Sequence, residues 1–348
     1  MNYPLITALL LTSACFGFER AQPGRVFDFP RDHGSHPEFR TEWWYLTGHL
    51  DSREGLRFGF QITFFRQASE DGQSHLHLAH AALLDAATGR FLHQERLNRE
   101  GWDAFASTDK LDVSNGNWTL KMEDGSMTAK ATIHSDVMLD LTLRPSKPLV
   151  VFGKDGVSRK GASEQAASHY LTFPRIAVDG SIRLGAKHHM VKGEAWMDHE
   201  FSSSQLDEGQ VGWDWASIQL HDGTEVMVYR MRLADGSSDP NGTTLAWIDQ
   251  SGSVRHIGST SFKWMPGELW TSTKTNASYP IRPVIEAEGR TFRLIPLQAE
   301  QELRGEITGL AYWEGACDVQ DSEGKVIGRA YLELAGYCGD LGQHLRGR

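Results

Sequence analysis

The chain has 348 residues, 35 Lys and Arg against 45 Asp and Glu, and a formal net charge of −10. That balance, with no block of one sign, excludes the basic footprint of a nucleic-acid binder and any charged interaction tail. The length suits two domains, and 11 Trp with 35 Gly fit a β-rich protein with many tight turns and aromatic surfaces.

The first eighteen residues carry no charged side chain, and Pro4 to Leu11 is a mostly apolar run. The run is too short to span a bilayer but suits a secretory h-region. Residues 1–24 are therefore predicted to be a signal peptide, and the protein to be exported. Thr12-Ser13-Ala14 before Cys15 resembles a lipoprotein cleavage site. That would make a periplasmic or membrane-anchored lipoprotein, bound to the membrane only through its lipid. Thr12 stands where leucine is usual, and no Lys or Arg precedes the run, so ordinary cleavage near Ala14 is the alternative.

Residues 25–205 form the first expected domain. Phe29 to Pro37 is rich in His and Pro, and Glu42-Trp43-Trp44-Tyr45 then leads into a strand. On that strand Glu42 and Trp44 share a face, so Glu42 is a candidate desolvated carboxylate. The alternative is a structural carboxylate bonded to a loop or to an arginine such as Arg40. Leu56, Phe58, Phe60, Ile62 and Phe64 alternate with polar or small residues and predict another strand. In His75-Leu76-His77-Leu78-Ala79-His80, His75 and His77 share a face and could bind a metal with help from elsewhere. Solvent exposure is the plainer expectation for both. His80 shares the other face with Leu76 and Leu78, where it is expected to point into a barrel as a pocket-lining residue. The Gly-, Ser- and Lys-rich stretch 152–167 has little apolar periodicity and reads as a long loop, a candidate flap over a site.

Trp196-Met197-Asp198-His199-Glu200 places Trp196, Asp198 and Glu200 on one strand face, with His199 turned away. Two carboxylates on one face can share a proton, raising one pKa and yielding a general acid. A salt-bridged or turn-capping Asp198 is the alternative. Residues 206–340 form the second domain. It opens with Trp213 and Trp215, passes through the alternating strand Val226 to Leu233, and closes in a hairpin from Ile307 to Tyr337. The turn at 321–324 sets Cys317 opposite about Arg329, so Cys317 and Cys338 pair only through another strand contact and are otherwise free thiols. Recurrent Asp-Gly and Asn-Gly turns between short strands mean a sandwich or a barrel. There is no Gly-rich phosphate loop, no nucleophile elbow and no His-Glu-x-x-His zinc motif.

Together His36, Glu42-Trp43-Trp44-Tyr45, Ala79-His80-Ala81, Ala195 to Glu200, Tyr312-Trp313-Glu314-Gly315 and Gly328 to Tyr337 resemble one family. It is the carotenoid 1,2-hydratase (hydroxyneurosporene synthase)-like, lipocalin-like family, whose bacterial members are often described as predicted secreted hydrolases. The likeness runs from about Phe27 to Tyr337. It implies an all-β fold of two tandem lipocalin-like (calycin) antiparallel β-barrel domains. The hydratase branch adds water to an isolated alkene without cofactor or metal. The resemblance matches Asp198 to the proton donor, with Trp196 where the family has Tyr. It matches His169 to an upstream His, with Leu171 where the family has Trp. Protonating an alkene needs a dry acid, and the carbocation needs π-faces or a carboxylate nearby. Asp198, His169 and Glu200 are thus the catalytic candidates. Trp196, Trp213, Trp215, Glu42, Trp44, His80 and Leu171 are the candidates for the substrate pocket.

The expected function is cofactor-free hydratase or lyase chemistry on a hydrophobic, isoprenoid or lipid-like small molecule. That reading requires Asp198 and His169 to meet. The rival is a non-catalytic lipocalin-like carrier that hands a lipid to an envelope export complex. A metal-dependent hydrolase built on His75 to His80 is the third.

Overall fold

The computed structural model describes residues 17–339 and 341. The strands predicted from alternation form two antiparallel sheets, each curled nearly into a barrel. The first contains β1 (Thr41–Ser52), β2 (Arg57–Ala68), β3 (His75–Asp85), β4 (Arg90–Arg99), β5 (Ala104–Ala106), β6 (Asp112–Asn115) and β7 (Trp118–Glu123). It continues with β8 (Ser126–Ile133), β9 (Val137–Pro145), β10 (Val150–Val151), β11 (Ser158–Arg159), β12 (Ala167–Leu184) and β13 (Lys187–Ser204). The order across it is β4-β3-β2-β1-β13-β12-β9-β8-β7-β6-β5, and a Glu100–Ala104 bridge brings its two ends together.

The second sheet holds β14 (Gln210–Leu220), β15 (Glu225–Leu233), β16 (Thr244–Ile248), β17 (Val254–Gly258) and β18 (Phe262–Met265). After the small hairpin β19 (Leu269–Thr271) and β20 (Ser278–Pro280) come β21 (Val284–Ala287), β22 (Arg290–Pro296), β23 (Glu302–Arg304), β24 (Ala311–Gln320) and β25 (Val326–Ala335). Its order is β17-β16-β15-β14-β25-β24-β22-β21-β18, with β23 on β24. The only helical pieces among the described residues are two 3₁₀ turns, Arg31–His33 and Ser259–Ser261.

Each barrel has its own apolar interior. Phe58, Phe60, Ile62 and Phe64 of β2 fill the first, with Trp44, Leu46 and Leu50 of β1. Ala216, Ile218 and Leu220 of β14 fill the second, with Val226 and Val228 of β15. The other faces of these strands are buried too. Tyr45, Trp196, Trp215, Met227, Tyr229, Met231, Ala316 and Tyr331 form a third apolar cluster where the barrels meet. A strand buried on both faces loses the usual apolar-in, polar-out contrast. A Cβ on Gly59 of β2 would fall 2.5 Å from that of Ala316 on β24, so glycine is what lets the sheets approach there. Bidentate pairs Arg57–Asp318 and Arg329–Asp51 flank the contact.

Four expectations need correction. The 152–167 stretch is not a free flap. β9 pairs with β12 only from Ile176 onward, because Pro174 lacks an N–H and the register slips between Phe173 and Ile176. β10 and β11 occupy the remaining edge of β12, and Phe152, Val157 and Lys160 are buried. His80 does not point into a barrel: Ala79, Ala81 and Leu83 do, and His80 points outward toward the second domain. His77 is buried rather than solvent-facing, and the half-buried His75 bonds Arg66 through Nδ1 at 3.0 Å. Cys317 lies opposite Ala330, one residue from the expected partner, because of a bulge at Val319/Gln320. Cys317 and Cys338 are both free thiols.

Candidate active site

Between the barrels lies a cavity of about 540 Å³. Tyr170 of β12 and Asp198 and Glu200 of β13 line it from the first domain, with Trp43 and Tyr45 of β1 and His80 of β3. Trp213 and Trp215 of β14, Tyr229 of β15, Tyr312 and Glu314 of β24 and Glu333 of β25 line it from the second. Phe65, Leu76, Leu78, Leu97 and Leu310 complete an apolar wall. Apolar walls with a few convergent polar groups are the usual form of a small-molecule site.

Asp198 is 3 % exposed. Its Oδ1 accepts from Thr172 Oγ1 at 2.6 Å and Trp196 Nε1 at 2.7 Å, and its Oδ2 accepts from the Tyr170 hydroxyl at 2.6 Å. Trp215 Nε1 in turn donates to that hydroxyl at 3.0 Å. Burial outweighs the three donors, and with repulsion from Glu200 it pushes the Asp198 pKa up to about 7. Glu200 pairs with Lys160 Nζ at 2.8 Å and takes a bond from Gln205 Nε2 at 3.3 Å. His80 Nδ1 lies 2.7 Å from the Tyr312 hydroxyl, and its Nε2 lies 3.3 Å from Glu95.

Strand parity brings Asp198, Glu200, His80, Trp213 and Trp215 to one cavity. Trp196 stands behind Asp198, edge-on to Trp215 with ring centres 6.1 Å apart. His169 does not join them. It lies on β12 one residue before Tyr170, so its side chain takes the opposite face. There Nδ1 meets the Gly156 carbonyl at 2.7 Å, and the ring sits edge-on to Phe27 and Phe39. The Asp198–His169 pair expected from the resemblance is therefore not formed, and His169 has no place in the cavity. Leu171 shares that opposite face, packed with Phe39 and Phe201.

Glu42 and Trp44 also lie away from the cavity. Glu42 is fully buried and accepts from Ser35 Oγ, the His36 backbone N–H and Arg66 Nε at 2.9, 2.9 and 3.0 Å. His36 Nδ1 and His199 Nε2 both lie 2.8 Å from its Oε1. Despite the desolvation, these partners hold its pKa well below the usual carboxylate range. Glu42 thus takes the structural alternative, with Arg66 rather than Arg40 as its arginine. Trp44 stacks on His199 at 4.8 Å and donates to the His33 carbonyl. Among the described residues, His36, Glu42 and His199 are the only group spaced to hold a metal, but its carboxylate already meets one arginine and both imidazoles. His75, His77 and His80 do not converge.

Sequence reasoning missed Tyr170, Thr172 and Lys160. The alternation of β12 carried the signal for the first two, since Tyr170 and Thr172 fall on the Asp198 side whenever His169 and Leu171 do not. Lys160 had none, because its burial follows only from how β11 docks. Glu314 and Glu333 stood inside the resembling motifs without a role.

The two curled sheets and the cavity between them define a tandem lipocalin-like two-barrel protein. The AttH-like family profile matches residues 20–337, and the chain belongs to the AttH-like family. This accords with the resemblance drawn from its motifs. A crystal structure from Nitrosomonas europaea, provisionally assigned as AttH, is 36 % identical with a TM-score of 0.85, covering 92 % of this chain and 100 % of that one. Kievitone hydratase from Nectria haematococca shares the fold at 14 % identity and a TM-score of 0.70, covering 89 % of this chain and 93 % of that one. The ceramide-binding protein svf1 of Aspergillus fumigatus is 26 % identical over 113 residues, 32 % of this chain. The match spans only 28 % of that relative's length.

Proposed function

We propose that this protein binds a hydrophobic, isoprenoid or lipid-like small molecule between its barrels and adds water to, or removes it from, a carbon–carbon double bond without a cofactor. The carrying observation is Asp198: a buried carboxyl able to hold a proton near neutral pH, in a cavity walled by tryptophan and tyrosine. Oδ1 already receives two donors and Oδ2 only one, so the proton belongs on Oδ2. In the forward direction Asp198 gives that proton to one alkene carbon, and the adjacent carbon becomes cationic. Water attacks the cation, and its surplus proton returns to Asp198, which restores the acid. Tyr170, Thr172 and Trp196 keep the carboxyl oriented and stabilise its anion while the proton is away. His169 has no part in this sequence. The fold neighbour named kievitone hydratase raises the standing of hydration chemistry as an analogy of fold alone.

Mass spectrometry of lipids extracted from the purified protein would name the substrate class. Turnover of that compound in ¹⁸O-water should then place one labelled oxygen in the product. The rate should fall as pH rises through about 7, where Asp198 loses its proton. Asp198→Asn should lower kcat by about 10²-fold or more while binding persists. A bound lipid that is recovered unlabelled from wild type would instead establish the second reading, a lipid carrier. The relative named a ceramide-binding protein favours that reading. Export, cleavage before or near Cys15 and delivery to an envelope transporter belong to the same proposal. Residues 1–16, including Cys15, lie outside the described residues. Radiolabelled palmitate incorporation into wild type but not Cys15→Ser tests the lipid anchor.

A further inference from the structure

The chemistry above uses Asp198 and leaves two other carboxyl groups of the cavity idle. Glu314 and Glu333 are cross-strand partners on β24 and β25, and both line the cavity. Glu314 is fully buried. Its Oε1 accepts the Tyr45 hydroxyl, whereas its Oε2 has no hydrogen-bond partner. A buried polar atom left without a partner is costly unless a ligand supplies one. Burial and repulsion by Glu333 raise the Glu314 pKa well above its ordinary range. Burial raises Glu333 to about 7; Trp213 opposes that rise, while Asp198 and Glu200 add to it. The charges acting on these two groups are thus all negative, and Lys160 is held by Glu200.

The aromatic faces of Tyr45, Trp213, Trp215, Tyr229 and Tyr312 share this space. Aromatic faces beside carboxylates recognise ammonium groups through cation–π and Coulomb attraction. The cavity wall already treats one ammonium in this way. Lys160 Nζ lies 4.0 Å from the Tyr229 ring centre, 4.7 Å from that of Tyr170 and 2.8 Å from Glu200.

We infer that Glu314 and Glu333 form a receptor for positive charge, and that the ligand of this cavity is an amphiphile carrying an ammonium group. Its alkyl chain follows Phe65, Leu78, Leu97 and Leu310 toward the half-exposed Leu76. Arrival of the cation drives protons off the two carboxyls, so binding releases protons to solvent. The inference rests on the reading of this cavity as a hydrophobic-ligand site.

The test titrates tryptophan fluorescence at pH 7.5 with two probes below their micelle concentrations. Dodecyltrimethylammonium carries the charge; dodecyldimethylamine N-oxide has nearly the same shape and no net charge. The cation should bind about tenfold tighter or more, and it alone should release protons, seen as a binding heat that depends on buffer ionisation. Glu314→Gln/Glu333→Gln should abolish the preference and the proton release while keeping N-oxide affinity, which reports an intact cavity. If the double variant does not fold, Glu333→Gln alone should reduce the preference. Equal binding of the two probes to wild type, or a preference that survives in the folded variant, overturns the charge receptor and leaves hydrophobic binding standing. Failure of both probes to bind overturns both readings.

Discussion

Asp198 owes its proton to where it sits. Its ordinary pKa of 3.8 becomes about 7 because burial penalises the anion more than Tyr170, Thr172 and Trp196 stabilise it. The folded state therefore binds one proton more than the unfolded chain between about pH 4 and pH 7. This contribution to stability is full below the unfolded value and is lost as pH rises through the folded one, at roughly 1.4 kcal/mol per pH unit. Urea unfolding of wild type and Asp198→Asn across this range should show the variant gaining on wild type by a few kcal/mol as pH rises, to order of magnitude. A constant difference between the two would mean that Asp198 does not titrate up there. Glu42, equally buried, does the opposite because its neighbours are His36, His199 and Arg66. The same residue class in the same fold is an acid in one place and a fixed anion in another, according to its donors.

Strand parity decides what acts together. His169 and Tyr170 are neighbours in sequence on β12, yet one faces Phe39 and Phe201 and the other faces Asp198. His169→Phe should therefore leave the Asp198 titration, followed by ¹³C carboxyl NMR, unchanged, with about 1 kcal/mol of stability lost along with the bond to the Gly156 carbonyl. Tyr170→Phe removes a donor from the anion and should raise the Asp198 pKa further. A moved titration in His169→Phe, or an unmoved one in Tyr170→Phe, would contradict this assignment of faces. The faces of β13 were legible in the sequence: Trp196, Asp198 and Glu200 fall together and His199 falls apart, as alternation requires. The resemblance led instead to His169 and Leu171, and parity along β12 was the check that would have moved the choice to Tyr170 and Thr172.

The cavity belongs to neither barrel alone. Its acid comes from β13, while Trp213, Trp215, Glu314 and Glu333 come from β14, β24 and β25. The contact at Gly59 and Ala316, with the two bidentate Arg–Asp pairs beside it, holds these walls in register. Gly59→Leu would force the sheets apart and should cost about 1–3 kcal/mol or more. It should also split a single calorimetric unfolding transition into two, because each barrel retains its own core. One sharp transition at an unchanged temperature would show that the barrels do not depend on this contact.

The strands, the all-β class, the two-barrel expectation carried by the motifs, and the shared face of Trp196, Asp198 and Glu200 were all legible in the linear chain. Those are properties of period-two alternation and of contiguous motifs, which need no knowledge of what packs against them. It took the folded arrangement to establish that both faces of the central strands are buried, that His80 looks out of its barrel, and that Glu42 is engaged within a hydrogen-bond network. That arrangement also decided which residues complete the site: Tyr170 and Lys160 from one domain, Glu314 and Glu333 from the other. Burial of these groups and the partners they find depend on contacts between separate segments, from 28 residues apart for Tyr170 and Asp198 to 269 for Tyr45 and Glu314, and local sequence patterns carry no record of them.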